Sequence, residues 1–127
     1  MFDPSFDPVR RRLHICYRGF WTPENAREIV ILFRRSLRGA AGAGASFTLL
    51  DDLREWPTQT QEVVEITKQL PDIVREMPVS RNAMIIPQAI LRMQVNRTLK
   101  GLPNCEVFPT YETADAWLSE VEPSRIS

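Results

Sequence analysis

Short β-type runs alternate with longer stretches that carry one apolar stripe at helical spacing, and this alternation limits the fold more than any single residue does. "RRRLHICYRGF" sets Leu13, Ile15 and Tyr17 on one face and Arg12, His14, Cys16 and Arg18 on the other, the period of a strand. Upstream, Asp7-Pro8 marks a turn, so Phe2 to Phe6 read as the first strand of a hairpin. "TPENAREIVILFRRSLRG" then reads as a helix. Thr22 suits its N-cap, Pro23 its first position and Glu24 the positive end of its dipole, while Ala26, Ile29, Val30, Phe33 and Leu37 form the stripe. Arg34, Arg35 and Arg38 complement the other end, and Gly39 is the expected stop.

The strand-helix pattern then recurs. "FTLLD" is a strand whose end carries Asp51 and Asp52. A helix is expected from about Thr58 to Met77, with Thr58 and Gln61 at capping-box spacing. Val63, Ile66, Thr67, Leu70, Val74 and Met77 share its inner face, and Pro71 is placed to kink or split it. "NAMIIP" reads as a strand covered on both sides. A helix from about Gln88 to Lys100 should bury Leu91, Val95 and Leu99; "CEVFP" is the last strand. "TYETADAWLSEV" closes the chain with Ala114, Trp117, Leu118 and Val121 on one face. The order β-β-α-β-α-β-α-β-α implies a layered α/β domain with a mostly parallel mixed sheet, and 127 residues suit one domain over 1–127. The glycine-rich "GAAGAGA" follows a helix and precedes a strand, the reverse of a phosphate cradle, and reads as a connection.

Sixteen basic residues, fourteen of them arginine, balance sixteen acidic ones, so no net field points to nucleic acid or an anionic membrane. Arg10-Arg11-Arg12 reads as a solvated turn and strand edge. No stretch is long and apolar enough for an integral membrane segment, and "MFDPSFDP" has no signal-peptide core. Cys16 and Cys105 lie in apolar runs and read as buried free thiols of a reducing compartment, so a cytoplasmic location is expected.

"YRGFWTPENAR", "FTLLDDLREW", "RMQVNR" and "EVFPTYETADAWL", in this order and spacing, resemble the STAS domain family, and within it the small stand-alone SpoIIAA-like members. The resemblance covers nearly the whole chain. It implies an N-terminal hairpin strand followed by four βα units wound as a superhelix. It also implies non-enzymatic work, namely binding of a partner protein, a nucleotide or, as in relatives resembling Sec14-type lipid carriers, an apolar ligand. Members that act as anti-sigma-factor antagonists carry a phosphorylatable serine after the central strand. Here that neighbourhood reads Asp51-Asp52-Leu53-Arg54, and Thr58 and Thr60 are the nearest hydroxyls, which makes them the phosphorylation candidates.

Ligands of open parallel sheets gather beyond the carboxyl ends of strands, which singles out Asp51 and Asp52. Adjacent strand residues point to opposite faces, so the two make a poor acid-base dyad, and Arg54 is placed to keep one of them ionised. His14, the single histidine, shares a strand face with Cys16, but no further metal ligand has suitable spacing, and no metal, cofactor or catalytic residue is assigned. Trp21 and Trp56 follow the ends of two strands expected to be neighbours and would rim one crevice with Phe20 and Leu53. Trp21, Asp51, Asp52, Leu53 and Trp56 are therefore the candidate ligand-binding residues. Two expectations result: a regulatory or interaction module with a protein partner, conceivably a homodimer, or a small carrier or sensor of an apolar ligand.

Overall fold

Five strands form one sheet in the order in which they occur: β1 (Phe2–Asp7), β2 (Arg12–Arg18), β3 (Phe47–Glu55), β4 (Val79–Ile85) and β5 (Cys105–Phe108). β1 is antiparallel to β2, and every later pairing is parallel. The computed structural model describes residues 1–99, 102 and 104–123. Because each parallel crossover moves one strand in the same direction and is right-handed, the intervening helices all lie on one face of the sheet. They are α1 (Pro23–Ala41), α2 (Gln61–Thr67), α3 (Leu70–Arg75) and α4 (Ala89–Leu99). α5 (Tyr111–Ser119) has no crossover to make and packs on the opposite face.

Strand alternation distributes the core accordingly. Leu13, Ile15, Tyr17 and Leu49 meet Phe33 and Leu37 of α1, with Val63 and Ile73 above them. Leu50, Ala83 and Ile85 point the other way, onto Ala114 and Leu118 of α5. β4 is thus covered on both sides, as its unbroken apolar run implied. α5 meets β2 through Asp115, which pairs with Arg12, and Tyr111, which lies beside His14, and it leaves His14 and Cys16 half-buried on the second face. No helix of the described residues is long and apolar enough to cross a membrane.

Several expectations need correction. α1 does not stop at Gly39. It continues until Gly42 (φ 55°) donates its N–H to Arg38 O at 3.1 Å, because Ala40 and Ala41 find buried positions in that extra turn. Its N-terminus is as expected, with Thr22 and Asn25 satisfying each other's backbone N–H groups. β3 does not end at Asp51 but pairs through Asp52 and on to Glu55, opposite Arg18. The helix expected over 58–77 is two short helices, split as Pro71 suggested, and its cap is Thr60, not Thr58. Gln59 explains the shift. Its side chain donates to Gly19 O (3.0 Å) and Pro57 O (2.8 Å) and accepts from Trp21 N (2.9 Å), which holds the chain ahead of Thr60 out of the helix.

Of the α4 stripe, Leu99 is buried and Val95 half-buried, but Leu91 is exposed beside Ile90 and Met93; the predicted end at Lys100 lies outside the described residues. On α5, Ala114 and Leu118 are buried and Trp117 is half-buried, while Val121 falls past the end of the helix and is exposed. The arginine triplet is not solvated. Arg12 is buried, its guanidinium paired with Glu122 (2.7 Å) and Asp115 (2.8 Å), because the α5 end of the chain brings those acids over the start of β2. Arg10 shares Asp115, and Arg11 donates to Ala40 O and Ser46 O.

Candidate functional site

Between the sheet and α2, α3 and α4 lies a cavity of about 500 Å³. Apolar side chains such as Leu53, Val64, Leu70, Val74 and Met84 make most of its wall. Trp21 and Trp56 both line it, with ring centroids 5.1 Å apart, and Tyr17 packs against each at about 6 Å. They meet because β2 and β3 are neighbours and both loops after them are tied together by Gln59. Gly19 supplies the turn out of β2, where φ is 75°.

The indoles differ in their polar contacts. Trp21 donates its Nε1–H to Arg18 O at 3.1 Å and is buried in the core, so it backs the cavity wall rather than rimming a crevice mouth as expected. Trp56 is half-buried, and its Nε1–H is inaccessible and has no hydrogen-bond partner among the described residues. Leaving a buried donor unmatched costs about 1–3 kcal/mol, so native proteins rarely do so.

A short polar chain crosses the cavity wall. Asp51 accepts from Tyr17 Oη (2.7 Å) at one oxygen and from Asn82 Nδ2 (2.9 Å) at the other, and Asn82 in turn accepts from Cys105 Sγ (3.7 Å). Burial pushes the Asp51 carboxyl up to about 6, against the opposing hydrogen bonds from Asn82 and Tyr17. Tyr17 is raised well above its ordinary value, first by burial and then by Asp51. Cys105 is pushed up to about 12 by burial and by the acids Asp51 and Glu106, so the thiol in this wall stays protonated.

Asp52 and Leu53 show the strand period at work: Leu53 joins Asp51 in the cavity lining, and Asp52 does not. Asp52 points to the second face, gripped by Arg54 through Nε (2.9 Å) and Nη2 (2.7 Å), the pairing anticipated from sequence. Burial raises this carboxyl, but the Arg54 hydrogen bonds outweigh it and hold the carboxyl below the usual range. Beside it are His14 and Cys16. The parallel register sets Cys16 directly opposite Asp52, a neighbour that chain spacing alone does not reveal. Phe20 is exposed and outside the cavity lining. Thr58 is exposed, and Thr60, also exposed, accepts Val63 N–H as a cap.

Sequence reasoning found Trp21, Asp51, Leu53 and Trp56 but missed Tyr17, Gln59 and Asn82, which hold them. A buried tyrosine on the same strand face as Leu13 and Ile15 was the available signal for Tyr17. Gln59 and Asn82 carried none, since a lone amide in a loop or strand looks like any other.

No protein-family model matches the sequence, and no curated protein does. Among solved structures, the fold is similar to that of an uncharacterized DUF3478-family protein with a SpoIIAA-like fold from Shewanella loihica PV-4. The TM-score is 0.69 at 17% identity, covering 93% of this chain and 92% of that one. It is also similar to the Bacillus cell fate determinant SpoIIAA in its phosphorylated form, with a TM-score of 0.50 at 18% identity, covering 93% of this chain and 99% of that one. The chain therefore has the SpoIIAA-like α/β fold that its strings resembled.

Proposed function

We propose that the protein is a non-enzymatic, STAS-like regulatory module whose input is a small, mostly apolar molecule held in the cavity lined by Trp21 and Trp56. The observation that carries this reading is an apolar space of about 500 Å³ whose wall brings Trp21 and Trp56 together beside the hydrogen-bonded Asp51. Binding pockets for small molecules have this size and this composition, mostly apolar with a few placed polar groups. The non-enzymatic part rests on what the cavity brings together. The single histidine is on the other face of the sheet, and Cys105 is held protonated, so no cysteine–histidine pair stands among the described lining residues.

The output of such a module is a protein contact. The fold likeness to SpoIIAA supports it, and α4 offers exposed Ile90 and Met93 three residues apart on one side of the helix. The partner is unidentified, and a homodimer is one form it could take. Native mass spectrometry of gently purified protein tests the input. The expected result is a bound apolar species lost on Trp56→Ala, with a ligand-dependent rise in Tm and quenching of tryptophan fluorescence that the variant also loses. A clean unliganded mass, together with no Tm shift across a panel of apolar carboxylates, alcohols and amides, would leave only the interaction surface.

A further inference from the structure

The second face of the sheet carries an arrangement independent of the cavity. His14 Nε2, Cys16 Sγ and Asp52 Oδ2 form a nearly equilateral triangle, with separations of 3.6 Å (His14–Cys16), 3.9 Å (Cys16–Asp52) and 3.8 Å (His14–Asp52). Two adjacent strands build it: His14 and Cys16 alternate onto the same side of β2, and the parallel register places Asp52 of β3 directly beside Cys16. All three side chains sit on this second face at the first turn of α5, whose Tyr111 flanks the imidazole at 6.3 Å between ring centres, with His14 and Cys16 half-buried and Asp52 buried.

We infer that His14, Cys16 and Asp52 form a binding site for a thiophilic divalent cation of the zinc class, with a fourth position open to solvent or to a ligand. Tetrahedral zinc with one sulfur, one nitrogen and one oxygen ligand, at about 2.3, 2.0–2.1 and 2.0–2.2 Å, separates neighbouring ligand atoms by about 3.3–3.6 Å. The triangle here needs to contract by only a few tenths of an ångström. Its donor set is the mixed thiolate, imidazole and carboxylate that suits zinc or cobalt and excludes magnesium and calcium, which take oxygen. Charge also balances. The Cys16 thiol gives its proton to solvent on binding, and the resulting thiolate with the Asp52 carboxylate neutralises a dication.

Arg54 is the one direct competitor for the Asp52 oxygen that faces the triangle. Its guanidinium is half-exposed and can release Oδ2 while Nε and the backbone N–H of Arg54 keep Oδ1, so the carboxylate stays oriented as the cation binds. That division leaves one oxygen for the metal and one for the second shell.

Cobalt(II) titration of the purified chain tests the site. The expected result is one equivalent bound per chain, with a thiolate-to-cobalt charge-transfer absorption that zinc displaces. Cys16→Ser should abolish that band and Cys105→Ser should leave it. His14→Gln and Asp52→Asn should each weaken binding at least about tenfold. A readout that needs no variant is alkylation of the wild-type thiols followed by mass spectrometry: zinc should slow modification at Cys16 selectively. Absence of the charge-transfer band, a band that Cys105→Ser removes, or unprotected Cys16 in the presence of zinc would each overturn the site. None of these readouts depends on the cavity or its ligand.

Discussion

Asp51 faces the cavity, where Tyr17 and Asn82 hydrogen-bond it and burial pushes its carboxyl up to about 6. Asp52, the next residue, faces the far side, where Arg54 holds it below the usual carboxylate range despite partial burial. One step along β3 therefore separates an apolar face organised around a cavity from a polar face organised around ion pairs. On the first, arginines are absent from the floor of the sheet, and Leu13, Ile15 and Leu49 carry the packing. On the second, the buried side chains of Arg12 and Glu122 and half-buried Asp115 form a charged cluster at the start of β2, and His14, Cys16 and Asp52 continue it. The difference follows from winding: crossovers stack four helices on one side, and the single closing helix covers only part of the other.

If the far face depends on its charges, its largest sensitivity should be at Arg12. Arg12→Met leaves Glu122 buried without its partner, and the expected loss is about 3–5 kcal/mol in chemical denaturation. Arg10→Ala removes a more exposed arginine from Asp115 and should cost under about 1 kcal/mol. Equal, small losses would mean that this face is held by the apolar contacts of α5 alone.

The two aspartates should also report opposite pH dependences. The folded chain holds the Asp51 proton more tightly than the unfolded chain, so stability is highest below the ordinary value near 3.8 and falls as pH rises to about 6. The total change is about 3 kcal/mol, and the deficit persists at higher pH. Asp52 works the other way: its contribution is present above its ordinary value and is lost as acid drives pH down through the lowered folded one. Urea midpoints measured against pH should lose the first component in Asp51→Asn and the second in Asp52→Asn. A profile for Asp51→Asn that parallels the wild type between about pH 4 and 6 would place its carboxyl in water rather than in the cavity wall.

A smaller effect separates the two threonines above the cavity. Thr60→Ala should cost about 1 kcal/mol, because Thr60 accepts Val63 N–H at the start of α2. Thr58→Ala should stay within about 0.5 kcal/mol. The reverse order would restore a helix beginning two residues earlier and would undo the role given to Gln59.

Local signals in the sequence were sufficient for the strands, for the capped start of α1 and for the break near Pro71, because each depends on residues close in the chain. The pairing of Trp21 with Trp56 was legible through strand adjacency, and the opposite orientation of Asp51 and Asp52 through the strand period. What was not legible depended on long-range register. Gln59 moves a helix start by bonding to a loop 40 residues away, Arg12 is buried by acids more than 100 residues later, and Cys16 meets Asp52 across 36.

The roof of the cavity is made of α2 and α3, helices of seven and six residues separated at Lys68 and Gln69. Helices this short have no standing of their own in water and persist only while their inner residues stay docked on α1 and the core beside it. Their undocking exposes little surface compared with global unfolding, so it belongs to the low-energy openings of the molecule. If the cavity holds a molecule as proposed, its exchange is governed by the melting of these two short helices, while the sheet keeps its pairing throughout. Residence time and thermal stability then become separately adjustable: a substitution on the roof that leaves the core intact changes how long a molecule stays, without changing whether the protein is folded.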